Sequence, residues 1–143
     1  MILHTARFDD LSARTLYALL KLRSDVFVVE QACPYQELDG RDTEPGTRHL
    51  WLAPPQQPAD PRTYLRVLTE PDGGQRIGRV CTAASSRGAG LSGQLMAAAL
   101  EPGGPFVLDA QSYLVGFYAG FGFVAAGPEF VEDAIAHTPM RRD

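Results

Sequence analysis

No apolar run in this 143-residue chain reaches the roughly 20 residues that span a bilayer, so no membrane-crossing helix is expected. The opening Met1-Ile-Leu-His-Thr-Ala-Arg lacks the basic-then-apolar order of a secretory leader, and a cytoplasmic protein is the expectation. Cysteine is scarce. The only two, Cys33 and Cys81, are too few for a disulfide framework and too far apart for a CxxC site. Each reads as a small buried hydrophobe. His4, His49, His137 and the cysteines show no ligand spacing, so no metal is expected. There is no G-x-S-x-G, which argues against a serine nucleophile. Basic residues are scattered rather than striped and the formal net charge is −4, so no nucleic-acid partner is expected. Internal repeats and low-complexity blocks are absent too.

What is present suits one mixed α/β domain over residues 1–143. Residues 2–7 read as a first strand or lead-in. Asp10 or Ser12 can cap a helix with an apolar face of Leu16, Leu19, Leu20, Val26 and Phe27. The β-branched run to Val29 ends it. Glu30 to Gly46 is a polar, turn-rich loop. Its acids Glu37, Asp39 and Asp42 read either as a face for a cationic substrate or as solvated loop charge. Three strands follow, Thr47–Ala53, Thr63–Thr69 and Arg76–Thr82. Turn signals at Pro54–Pro61 and Pro71–Gly74 make them an antiparallel meander. Tyr64, Arg66 and Leu68 share one face of the middle strand, Leu65 and Val67 the other.

Arg87 to Leu100 opens with a cation and glycines and becomes a run of helix formers, stopped by Pro102-Gly-Gly-Pro. Phe106–Ala110 is a short apolar strand. The order strand, loop, helix, strand is a βαβ unit, which makes its two strands parallel. Gln111 to Tyr118 reads as helical, Phe123 to Ala126 as strand, and a closing strand is expected around His137 to Met140.

A glycine-rich turn feeding a helix leaves free N–H groups at the positive end of the helix dipole, which is an anion site. Three patterns overlap there. Gly88-Ala89-Gly90-Leu91-Ser92-Gly93 matches the dinucleotide fingerprint G-x-G-x-x-G, with Asp109 near the ribose-acid position. That keeps an NAD(P)-binding oxidoreductase using Gly88, Gly90 and Gly93 as a rival. Against it, Ala83 to Arg87 separate the glycines from the strand, and the preceding strands read as hairpins. The P-loop pattern fails, because Gln94 and Leu95 replace its Lys and hydroxyl. The third pattern is Arg-x-x-Gly-x-(Gly/Ala), as Arg87-Gly88-Ala89-Gly90-Leu91-Ser92 after a meander and before a helix.

This third segment resembles the coenzyme A pyrophosphate loop of the GCN5-related N-acetyltransferase (GNAT) family, with Ser92 departing from the usual Gly or Ala. Phe117-Tyr118-Ala119-Gly120-Phe121-Gly122-Phe123 resembles the family's Phe-Tyr-x-x-x-Gly-Phe segment. Leu22–Gln31, Cys33–Gly40, Asp109-Ala110-Gln111 and Phe130–Asp133 with His137 resemble its ElaA-like branch, while Ala134 and Ala136 depart from it. The resemblance spans nearly the whole chain. It implies a mixed α/β (α+β) fold, a mostly antiparallel twisted sheet flanked by helices with a central βαβ acyl-CoA-binding unit.

The activity it implies is transfer of an acetyl group from acetyl-CoA to a primary amine, by direct attack in a ternary complex. Backbone N–H groups of Arg87, Gly88, Ala89, Gly90, Leu91 and Ser92 would hold the pyrophosphate, with the Arg87 charge and the Ser92 hydroxyl assisting. Val80, Cys81 and Thr82 would pair with the pantetheine arm, and the Val80 N–H would polarise the thioester oxygen. Gln111 and Phe117 complete the coenzyme set. Tyr118 is the candidate proton donor to the leaving thiolate. For the base, Glu30 is a candidate if burial raises its pKa, as are His49 and His137; a water chain is the other route. The partners implied are acetyl-CoA and a small-molecule or peptide amine, with room for a homodimer. A non-catalytic acyl-CoA-binding protein is the non-enzymatic alternative.

Overall fold

The computed structural model describes every residue from Met1 to Asp143. Strand β1 (Ile2–Ala6) leads into helix α1 (Ala13–Ser24), capped by Ser12, whose Oγ accepts the Thr15 N–H at 3.1 Å. The helix does not fray at Asp25. It widens into a π-helical turn, Asp25–Glu30, in which the Gln31 N–H reaches back to Val26 O. Val26-Phe27-Val28-Val29 packs β-branched and aromatic side chains against the preceding turn, and widening relieves that crowding.

Strands β2 (Arg48–Ala53), β3 (Thr63–Thr69) and β4 (Gln75–Thr82) form the expected antiparallel meander. Helix α2 (Leu91–Leu100) then crosses to β5 (Phe106–Gln111), which pairs with β4 in parallel. The segment expected to be helical over 111–118 is a 3₁₀ turn (Ser112–Leu114) running into the short α3 (Val115–Ala119). After β6 (Val124–Ala125) come β7 (Phe130–Glu132), which sequence reading passed over, and β8 (Ile135–Arg142). All strands share one sheet in the order β1-β2-β3-β4-β5-β8-β6, with β7 also on β8. β4–β5 is its one parallel pair, where a dinucleotide-binding fold needs repeated parallel units.

The two faces of the sheet are covered separately. Leu50, Leu52, Leu65 and Val67 pack with Leu95, Met96 and Ala99 of α2. Their alternates Trp51, Ala53 and Tyr64 pack with Leu19 and Leu22 of α1. Strand β4 breaks this alternation. Ile77 belongs to the α2 side and Cys81 to the α1 side, although both numbers are odd. A bulge lies between them: Arg79 has φ +56° and the β3–β4 register slips there. One inserted residue turns the rest of the strand over.

Candidate active site

The β4–β5 ladder is two register pairs long, Gln75↔Phe106 and Arg76↔Val107. Beyond Arg76 the strands part, and a cleft of about 610 Å³ opens between them. Gly78 to Thr82 line it on the β4 side; Leu108, Asp109, Gln111, Phe117 and Tyr118 line it on the other. The π-helical turn, the loop before α2 and the β7–β8 hairpin complete its rim. Its volume suits a medium-sized organic ligand.

The loop before α2 is built to leave donors free. Gly88 and Gly90 take φ +87° and +75°, a region that favours glycine. Gly90 is the N-cap and offers no side chain, so the start of α2 is uncapped. The backbone N–H groups from Arg87 through Gly93 find no acceptor in the chain. All but Ala89 belong to residues that line the cleft, and with the helix dipole they make an anion cradle there. The hydroxyl of Ser92 is already engaged. The Thr63 hydroxyl donates to Cys81 O at 2.9 Å, so Thr82 donates to Thr63 (3.0 Å) and Ser92 donates to Thr82 (2.6 Å). With one proton per hydroxyl the chain runs one way, and Ser92 offers an anion its backbone rather than its hydroxyl.

Arg87 reaches across to the π-helical turn. Its Nη1 and Nη2 bind Glu30 Oε2 and Oε1 at 2.6 and 2.8 Å, and its Nε donates to Thr82 O at 3.0 Å. Hydrogen bonding from Arg87 holds the Glu30 carboxyl below the usual carboxylate range. This reverses the expected upward shift: the side chain is 43% exposed and faces a guanidinium, not an apolar wall.

His49 is corrected too. It does not line the cleft. It is buried on β2, where Tyr64 Oη donates to its Nδ1 (2.6 Å) and its Nε2 donates to Asp42 O (3.0 Å). Burial lowers its pKa and keeps it neutral, with both ring nitrogens occupied. The acids of the 37–42 loop are not laid out for a cationic substrate either. Arg23, 1% exposed, binds Glu37 at 2.5 Å and Asp42 at 2.8 Å. Arg66 clamps Asp39 (2.5 Å) and Asp42 (3.2 Å), and Arg79 binds Glu37 at 3.0 Å. Loop charge here is a buried network, matched cation for anion.

Tyr118 is buried beside the cleft, its ring edge-on to Phe117 (5.1 Å) and Phe123 (6.3 Å). Its hydroxyl has no hydrogen-bond partner in the chain. Burial first, then Tyr113 and Cys81, push its pKa up to about 12, so the phenol keeps its proton at neutral pH. Val80, Thr82, Gln111 and Phe117 line the cleft, as do Arg87, Gly88, Gly90, Leu91 and Ser92; Ala89 does not. Cys81 also borders it, but its side chain is packed in the α1-side cluster and burial raises its pKa. Sequence reading missed Arg79, whose left-handed backbone makes the bulge, and the Gln31–Gln111 amide pair across the cleft. No local pattern announces either, since both depend on distant partners.

Residues 25–143 match the model of a family described as the acetyltransferase (GNAT) domain. The chain is 53% identical over 138 residues to a UPF0039 protein of Mycobacterium tuberculosis, covering 93% of this chain and 87% of that protein. It is 40% identical to protein ElaA of Escherichia coli, covering 94% and 92%. The crystal structure of an acyl-CoA N-acyltransferase from Pseudomonas aeruginosa superposes with a TM-score of 0.92 at 40% identity, over 100% of both chains. That of Escherichia coli ElaA does so with 0.90 at 37%, over 99% of both. With its parted β4–β5 strands and uncapped α2, this chain belongs to the GNAT acetyltransferase family and is an acyltransferase.

Proposed function

We propose that the cleft transfers an acetyl group from acetyl-CoA to the primary amine of a small molecule or peptide. The observation that carries this is the set of acceptorless N–H groups from Arg87 to Gly93, standing where β4 and β5 part. A pyrophosphate supplies the acceptors those donors lack, and the unpaired stretch of β4 offers its edge to an extended thioester arm.

In this reading the loop holds the carrier by its backbone, and the Val80–Thr82 edge aligns the arm. An N–H at Val80 polarises the thioester oxygen, placed beside the bulge and beyond the end of the β5 ladder. Phe117 covers the arm. Tyr118 stays protonated at neutral pH and hands its proton to the departing thiolate. Acetyl-CoA and NADH are titrated calorimetrically into the full chain, followed by thiol release with an amine panel. Binding of acetyl-CoA with thiol release is the expected result. Binding of NADH alone would end the reading, and acetyl-CoA binding without turnover would leave a carrier-binding protein.

A further inference from the structure

An amine attacks a thioester only as the neutral base, and an alkylamine near neutral pH is almost entirely protonated. The site therefore needs a proton acceptor with a free lone pair facing the cleft. Glu30 is spent on Arg87 and His49 is sealed away from the cleft. His137 is neither. It lies on β8 opposite Gln111 of β5, and its side chain lines the cleft. Its Nδ1 lies 2.8 Å from Ile135 O, a carbonyl that can only accept, so Nδ1 carries the hydrogen. Nε2 is then the bare basic nitrogen, and nothing in the chain donates to it. The ring is held in place by stacking on Phe130, with centroids 5.5 Å apart and planes 17° from parallel.

The surroundings suit a cationic amine. Glu132 and Asp133 of the β7–β8 hairpin border the same cleft and make no ion pair; the other cleft carboxylates Glu30 and Asp109 are bound to Arg87 and Arg76. The cations on the walls are likewise taken: Arg66 and Arg79 by Glu37, Asp39 and Asp42. The hairpin is fixed against the π-helical side by Cys33, whose Sγ–H donates to Asp133 O.

We propose that His137 is the general base of the reaction, taking a proton through Nε2 from an ammonium acceptor drawn in by Glu132 and Asp133. This rests on the acyltransferase reading above. The ammonium gives one proton to Nε2, and the freed nitrogen pair forms the C–N bond. The C–S bond breaks with its pair on sulfur, which takes the Tyr118 proton. The second proton shed by nitrogen returns to the Tyr118 oxygen through solvent. The products are an amide, a free thiol and one proton released from His137.

The test compares wild type, His137→Asn and His137→Ala. Thiol release from acetyl-CoA is followed from pH 6 to 10 with an alkyl diamine, a polyamine, an amino sugar and a lysine peptide. Asn retains a donor for Ile135 O while removing the base. Turnover is expected to fall about 100-fold or more at pH 7 in either variant. The deficit should shrink as rising pH deprotonates the amine unaided, and added imidazole should restore part of the His137→Ala rate. Acetyl-CoA affinity should not change. Turnover of His137→Asn equal to wild type, or a deficit constant across pH without imidazole rescue, would overturn the role of His137 alone. A wild type that binds acetyl-CoA yet acylates none of the amines would overturn the reading beneath it as well.

Discussion

Tyr118 and His49 are both buried polar rings, yet only one of them borders the cleft. The Tyr118 hydroxyl bonds to nothing in the chain, so its removal leaves no partner stranded. Tyr118→Phe should therefore unfold within about 0.5 kcal/mol of wild type. It should keep its acetyl-CoA affinity and lose turnover by about 100-fold, read from thiol release. His49 makes the opposite case. Its folded-state pKa lies below the free value, because burial opposes the charged ring. The unfolded chain therefore binds the proton first. His49 costs no stability well above its free value of about 6.5 and withdraws it progressively as pH falls below that. Asp39 and Asp42 act lower. Burial pushes both up, but hydrogen bonds from Arg66 and the Arg41 N–H for Asp39, and from Arg23 for Asp42, win and leave both depressed. Their stabilisation is complete above about pH 4 and is lost as pH falls through the carboxylate range. Melting temperature against pH should show two acid limbs, and His49→Gln should flatten the one that sets in as pH falls below about 6.5.

At the scale of elements, the Glu30–Arg87 pair joins the π-helical turn to the start of α2. Both side chains are about 43% exposed, so the pair adds little to folding. Its effect belongs to binding, because Arg87 cannot grip Glu30 by both nitrogens and also serve a phosphate. Glu30→Gln should leave the melting temperature unchanged and lower the dissociation constant for acetyl-CoA several-fold, measured by calorimetry. Elements of this kind divide cleanly in their legibility. The glycines and the helix formers after them announced the loop and α2 directly, because backbone freedom and propensity are local. The bulge did not, since an arginine at φ +56° is sustained by distant groups, Glu37 and Asp39 binding its guanidinium and Tyr35 lying beneath it.

For the whole molecule, the buried network joins the apolar cluster in tying the α1 side to the meander. Arg23 from α1, Glu37, Asp39 and Asp42 from the loop, Arg66 from β3 and Arg79 from β4 meet through direct bonds. The bulge beside the cleft is held by this network. Arg23→Ala leaves three carboxylates, Glu37, Asp39 and Asp42, to the two guanidiniums of Arg66 and Arg79, and should cost about 3–5 kcal/mol, seen in denaturant unfolding. Arg23→Lys should recover only part of that, since one ammonium cannot serve two carboxylates in a fork. Bound acetyl-CoA should raise the melting temperature of wild type by mass action.

Periodicity determined the meander, the βαβ crossover and the two sheet faces, because alternation and helix formers are properties of neighbouring residues. Family likeness carried in three segments determined the acyltransferase. Tertiary structure alone decided which charged and basic groups are free. Glu30, His49 and the acids of the 37–42 loop have the same letters whether free or paired, and their partners lie as many as 57 positions away. Burial and pairing set a group's protonation, and neither is a local property. That is why His137, one of three histidines by sequence, stands out only when its neighbours are in place.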